Sequence, residues 1–191
     1  PVTQRVSISS SGEEGNGYSH APALSWDGRF VVFLSESTNL VPGDTNNLLD
    51  VFFYDRLTNR IELVSVSTAG EQGDGEPSRP SMSPDGRYIV FSSDADNLVL
   101  PDSNIVQDVF LRDRLTGVTE MISLTHTGGQ ADKDSFTRRP AISADGRYVV
   151  FFSQAENLTE DVDSLGFFDI YLRDRQLETP LRLTDGWNGE E

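Results

Sequence analysis

The chain has 191 residues, 36% of them hydrophobic and 24% charged, with 15 basic against 31 acidic side chains and no cysteine. A net charge of −16 repels nucleic acid and anionic membranes, which both need cationic surface, and suits cations, basic partners or neutral ligands. The absence of cysteine excludes disulfides, thiolate nucleophiles and cysteine-held zinc. No apolar run is long enough for membrane insertion, and no stretch reads as a signal peptide.

In chain order, a first block, Val6-Ser-Ile-Ser9, precedes an acidic Gly12–Gly17 stretch. The segment Ala21–Ser25 then reads as a strand, and Asp27-Gly28 as a tight hairpin, since glycine supplies the positive φ such a turn needs. Phe30–Leu34 is apolar without alternation, which predicts a strand buried on both faces. A polar loop leads to a third strand, Val51–Tyr54. A turn at Thr58-Asn59 leads to a fourth, Ile61–Val66, and no stretch shows a helical period.

This unit recurs. Ser25-Trp-Asp-Gly-Arg-Phe-Val-Val-Phe33 returns as Ser83-Pro-Asp-Gly-Arg-Tyr-Ile-Val-Phe91 and Ser143-Ala-Asp-Gly-Arg-Tyr-Val-Val-Phe151, with Asp27, Asp85 and Asp145 spaced by 58 and 60 residues. Asp50-Val-Phe-Phe-Tyr-Asp-Arg56 returns as Asp108-Val-Phe-Leu-Arg-Asp-Arg114 and Asp169-Ile-Tyr-Leu-Arg-Asp-Arg175. The boundaries read as units of about 5–62, 63–120 and 121–180, with a partial unit at 181–191, in one repeat region over 1–191. Pro22, Pro80 and Pro140 fall in the first strand of each unit, so that strand is expected at a sheet edge.

These motifs resemble the TolB-type, WD-repeat-like bacterial β-propeller repeat, over nearly the whole length from Arg5 to Arg182. The resemblance implies an all-β fold of β-propeller blades: three four-stranded units of about 58–60 residues plus flanking strands, with the first strand innermost. Closed propellers have four to eight blades, so three units imply a partial propeller or half of a six-bladed dimeric ring. The chain opens inside a unit, at Gln4-Arg5-Val6-Ser7, and stops inside one.

Two groups of candidate site residues follow. In the loop between second and third strands, Asp44, Asn46 and Asp50 recur as Asp102, Asn104 and Asp108, and as Asp161, Asp163 and Asp169. Oxygen side chains at positions one, three and seven offer ligands for Ca²⁺, a cation that takes six to eight oxygens. The same residues also serve as turn formers that bond nearby amides. The second group breaks the repeat just before or within the first strands: Tyr18, His20, Arg79, Phe136, Arg138 and Arg139, side chains of the kind that anchor partners. The residues repeated in every unit, Arg29 and Asp55 with their copies, read as structural. The acidic connectors between units read as solvated and flexible, and His126 as a loop residue.

No nucleophile motif or selectable carboxylate pair points to catalysis. The expected function is therefore a non-enzymatic binding or scaffolding module, presenting loops to a protein or glycan partner outside the cytoplasm (periplasmic or secreted), with Ca²⁺ as the one candidate cofactor. A propeller segment of a larger hydrolase and a structural assembly subunit are the alternatives, and association as a homodimer or with the rest of a propeller is expected.

Overall fold

The computed structural model describes residues 3–161 and 167–184, with the backbone alone at 137–140. Twelve strands form three four-stranded antiparallel sheets, and the described residues contain no helix. The first sheet comprises β1 (Ser19–Leu24), β2 (Phe30–Ser35), β3 (Asp50–Asp55) and β4 (Arg60–Leu63). The second comprises β5 (Ser81–Met82), β6 (Tyr88–Ser93), β7 (Asp108–Asp113) and β8 (Val118–Met121). The third comprises β9 (Ser135–Ile142), β10 (Tyr148–Ser153), β11 (Asp169–Asp174) and β12 (Thr179–Arg182). Spatial order follows chain order in each sheet.

The proline-bearing segments lie at the edge, as their missing amide hydrogens require. In β1 the register shifts between His20 and Ala23, where Ala21 takes φ +51° ahead of Pro22. The first strands converge, β1 against β5 and β5 against β9, which makes this edge the inner one.

Two expected strand ends move by more than one residue. β1 begins at Ser19, earlier than the apolar pattern suggests. β4 ends at Leu63, because a side chain takes over the ladder: the Val51 amide donates to Ser65 Oγ (3.0 Å), whose hydroxyl donates to Asp50 Oδ1 (2.5 Å). Ser123 does the same for Val109 and Asp108, and Thr184 for Ile170 and Asp169.

The apolar second and third strands stack between sheets. Val32, Leu34, Val51 and Phe53 pack against Ile89, Phe91 and Phe110. Val90, Val109 and Leu111 pack against Val149, Phe151 and Tyr171. Val6 and Ile8 cover the other face of the first sheet, over Phe33, Phe52 and Tyr54. On the far face of the third sheet Val150, Phe152 and Leu172 are only half-buried.

The repeated charges hold this stack. Each hairpin arginine forms a two-pronged ion pair with the aspartate that ends the third strand: Arg29 with Asp55 (3.0 and 2.7 Å), Arg87 with Asp113 (3.0 and 2.7 Å), and Arg147 with Asp174 (2.9 and 2.7 Å). The following arginine ties neighbouring sheets together. Arg114 pairs with Glu62 at 2.9 Å, donates to Gly86 O at 2.9 Å and lies 3.2 Å from the Phe53 ring centroid. Arg175 likewise joins Glu120 to Gly146 O over the Tyr88 ring.

The connectors are stitched down rather than free. Asn39, Asn97 and Asn157 each donate to one connector carbonyl and accept from one connector amide. A side-chain amide satisfies two backbone groups at once, which fixes a segment that its polar composition alone marks as mobile.

Candidate functional site

Both candidate groups lie at one end of the sheets, where first strands begin and third strands start. The Asp-Gly hairpins occupy the opposite end.

In the first loop Asp50 is 1% exposed. Its Oδ1 accepts the Ser65 hydroxyl, while Oδ2 is buried without a hydrogen-bond partner. Burial pushes its carboxyl up to about 6, against the hydrogen bond from Ser65, and the charge of Asp44 adds to the rise. Asp44 is also buried and raised by desolvation, and accepts from Gln72 Nε2 at 3.2 Å. Asn46 donates to Gly73 O at 3.2 Å, and its Oδ1 accepts the Leu48 amide at 3.2 Å.

The second loop repeats the plan with one more bond. Asn104 Nδ2 donates to Asp108 Oδ2 (2.9 Å) and Ala131 O (2.9 Å). Asp108 is fully buried, receives Ser123 at 2.5 Å and is pushed up to about 6 by burial. Asp102 is raised by burial and accepts from Gln130 at 3.0 Å. Both asparagines thus act as turn pins, with their carboxamide oxygens turned to backbone amides. In the third loop Asp161 is exposed, Asp169 accepts Thr184, and Asp163 lies outside the described residues. Among the described residues no group of three or more His, Asp or Glu is arranged to hold a metal ion.

The second group lines the start of the inner edges. Tyr18, 66% exposed, stacks on His20 with ring centroids 5.1 Å apart, and His20 Nδ1 is buried without a hydrogen-bond partner. Arg79 is exposed just before β5. Phe136, on β9, meets Phe168 edge-on at 4.7 Å and Phe152 at 6.2 Å. Arg138 and Arg139 also sit on β9, but their side chains lie outside the described part. The convergence of the inner edges places these residues on successive strands of one rim.

The sequence reading missed a third locality, on the outer edge between the second and third sheets, where Arg173 is buried beside His126. Its signal was available as a departure from the repeat: Pro180 stands where the second unit has Thr119.

No protein-family model matches the sequence, and no curated protein matches it significantly. Solved structures do match. TolB from Acinetobacter baumannii is similar with TM-score 0.50 at 19% identity, over 90% of this chain and 33% of its own. A putative TolB from Agrobacterium tumefaciens gives 0.50 at 18% identity, over 87% and 48%. The tricorn protease gives 0.53 at 14% identity, over 85% and 14%. The chain spans less than half the length of each of these proteins. At such identities the likeness concerns architecture, and with the three stacked sheets and their inner proline edges it leads to one conclusion: the chain has the TolB-like β-propeller fold.

Proposed function

We propose that this chain is a non-enzymatic binding module that works outside the cytoplasm and presents the rim of its inner edges to a protein partner. The supporting observation is the division of labour among its residues. Side chains repeated in all three sheets are consumed by ion pairs, hairpins and stacking, while Tyr18, Arg79 and Phe136 vary at one rim and leave Tyr18 and Arg79 exposed. Exposed aromatic and arginine side chains are what partner recognition uses most.

The test is capture of a partner by the immobilised protein, followed by quantitative binding of rim variants. Tyr18→Ala and Arg79→Ala should each weaken binding by about tenfold or more at unchanged melting temperature. Trp26→Ala, at the hairpin end, should leave it unaltered. Equal binding by all three variants, or a glycan as the captured species, would refute a protein-binding rim.

Calcium forms part of the same proposal, favoured by the unpartnered Asp50 Oδ2 beside the buried Asp44. A hard cation would neutralise both carboxylates and supply the partner that oxygen lacks. Millimolar Ca²⁺ at pH 7 should then raise the melting temperature by about 4–8 °C. Asp50→Asn should abolish that rise, and identical melting with Ca²⁺ and with chelator removes the cation from the proposal.

A further inference from the structure

At the outer edge, the seam between first and second sheets is laced shut. The Thr119 amide donates to Thr68 Oγ1 (3.0 Å), the Thr68 hydroxyl to Thr119 O (3.3 Å) and the Thr119 hydroxyl to Val66 O (2.6 Å). Arg112 Nη1 adds bonds to Ser67 O (3.1 Å), Gly117 O (2.7 Å) and Thr119 Oγ1 (2.9 Å). Ahead of the first sheet the same seam closes through the Ile61 amide, which donates to Ser10 Oγ at 3.3 Å.

Between the second and third sheets, three substitutions in the repeat fall at this one place. Thr119 becomes Pro180, Thr68 becomes His126 and Gly117 becomes Glu178. Proline has neither an amide hydrogen nor a hydroxyl, so the bonds that the Thr119 amide and hydroxyl make cannot form, and His126 has no hydroxyl to donate to the carbonyl that remains. Glu178 keeps the left-handed backbone of Gly117, at φ +56°, a conformation that glycine and asparagine adopt at less cost. The seam opens into a groove of about 900 Å³, with Met121, Ile122 and Leu177 as apolar walls and His126 and Gln130 along one side.

Arg173 lines this groove and is 5% exposed. Among the described residues Arg112 makes three hydrogen bonds and Arg173 makes one, to Leu124 O at 3.2 Å. It belongs to none of the ion pairs among the described residues, whereas neighbouring Arg175 is neutralised by Glu120. A buried guanidinium with most of its donors unspent favours an anion that can accept two parallel bonds. Burial lowers its proton affinity, against the charges of Glu178 and Glu120 nearby, neither of which pairs with it directly.

We propose that this groove binds the free carboxyl end of a partner polypeptide, with the carboxylate on Arg173 and the terminal side chain against Met121, Ile122 and Leu177. A chain terminus carries carboxylate and apolar side chain on the same carbon, matching a cation set within apolar walls. An acidic side chain brings the charge without that apolar body. The net charge of −16 repels anions at a distance; recognition therefore acts at contact, where low dielectric strengthens the pair. Glu178, exposed at the groove, opposes entry, so Glu178→Gln should tighten binding.

The proposal deepens, and rests on, the reading of the chain as a protein-binding module. Its test uses N-acetyl-leucyl-phenylalanine and the corresponding amide as probes, in calorimetry at low salt on the full chain. The acid should bind at least about tenfold more tightly than the amide. Arg173→Met should reduce the acid to the level of the amide. Pro180→Thr, which restores amide and hydroxyl to the seam, should weaken acid binding without lowering the melting temperature, and decides the matter if the first variant fails to fold. Equal binding of acid and amide, binding of neither, or undiminished acid binding in Pro180→Thr overturns the proposal. Partner capture that depends on Tyr18 and Arg79 would persist through such a failure, so groove and rim fail separately.

Discussion

Gly86 and Gly146 carry two demands at once. Each has φ near +71°, and a Cβ would lie 2.5 Å from the Phe30 ring at Gly86 and 2.3 Å from the Tyr88 ring at Gly146. Gly43 also has positive φ but nothing within 4 Å of its would-be Cβ. Gly43→Ala should therefore cost about 1–2 kcal/mol of backbone strain, and Gly86→Ala about 2–4 kcal/mol, since the ring must also be displaced. Urea unfolding of the two variants measures the difference, and equal losses would show that the ring contact contributes nothing. The titrating residues oppose one another in a similar way. Hydrogen bonds from Arg87 and Arg147 hold Asp113 and Asp174 at about 2, and Arg29 holds Asp55 low as well. These depressed groups stabilise the fold above pH 4, and that contribution fades as pH falls toward 2. Asp50 and Asp108, raised by burial to about 6, favour the fold below pH 4 and lose that contribution as pH rises through 6. In calcium-free buffer the melting temperature should peak near pH 4 and fall as pH rises from there to about 6. Asp108→Asn should flatten the decline between about pH 4 and 6, and an equally steep decline in that variant would exclude the buried carboxylate as its source.

At the scale of the element, the fourth strands end on a hydroxyl. Ser123 receives the Val109 amide and donates to Asp108, so Ser123→Ala strands two buried polar groups together. The expected loss is about 2–4 kcal/mol in chemical denaturation, and a loss below about 1 kcal/mol would show that water replaces the hydroxyl. This device also marks where the sequence stops being readable. Hairpins at Asp27-Gly28 and its copies, unbroken apolar runs and edge prolines all express local preferences, and each was legible. The end of β4 was not, because a side chain paired across the sheet decides it. The connector behaved likewise: its composition signals solvation, but Asn39, 23 residues beyond Asn16, ties it down. The Asp-x-Asn spacing was visible, while the direction in which Asn46 and Asn104 turn their amides was not, since Gly73 and Ala131 draw them from the next connector. The groove at Arg173 was legible only as a broken repeat, because its meaning lies in bonds made elsewhere between residues 51 apart.

At the scale of the whole molecule, Leu111 and Leu172 are the same residue type in the same register of successive sheets. The first is fully buried between sheets and the second half-covered. Leu111→Ala should cost about 2–5 kcal/mol and Leu172→Ala less than about half as much. If the two losses match, the far face of the third sheet is covered in solution. The interlocks add a rule of their own. The first and second sheets each offer an aromatic ring and a glutamate forward, and the second and third receive them with a glycine and an arginine behind. Phe30 and Glu62 meet Gly86 and Arg114, and Tyr88 and Glu120 meet Gly146 and Arg175. Such an array has polarity, like a chain of hooks and eyes. Two third sheets set face to face would present hook to hook, so a two-fold symmetric pairing could reuse none of these contacts. Only a head-to-tail arrangement can reuse the ring contact, through Tyr148, although Leu181 stands where Glu62 and Glu120 supply the charge; the angle between successive sheets then decides between a closed ring and an open spiral.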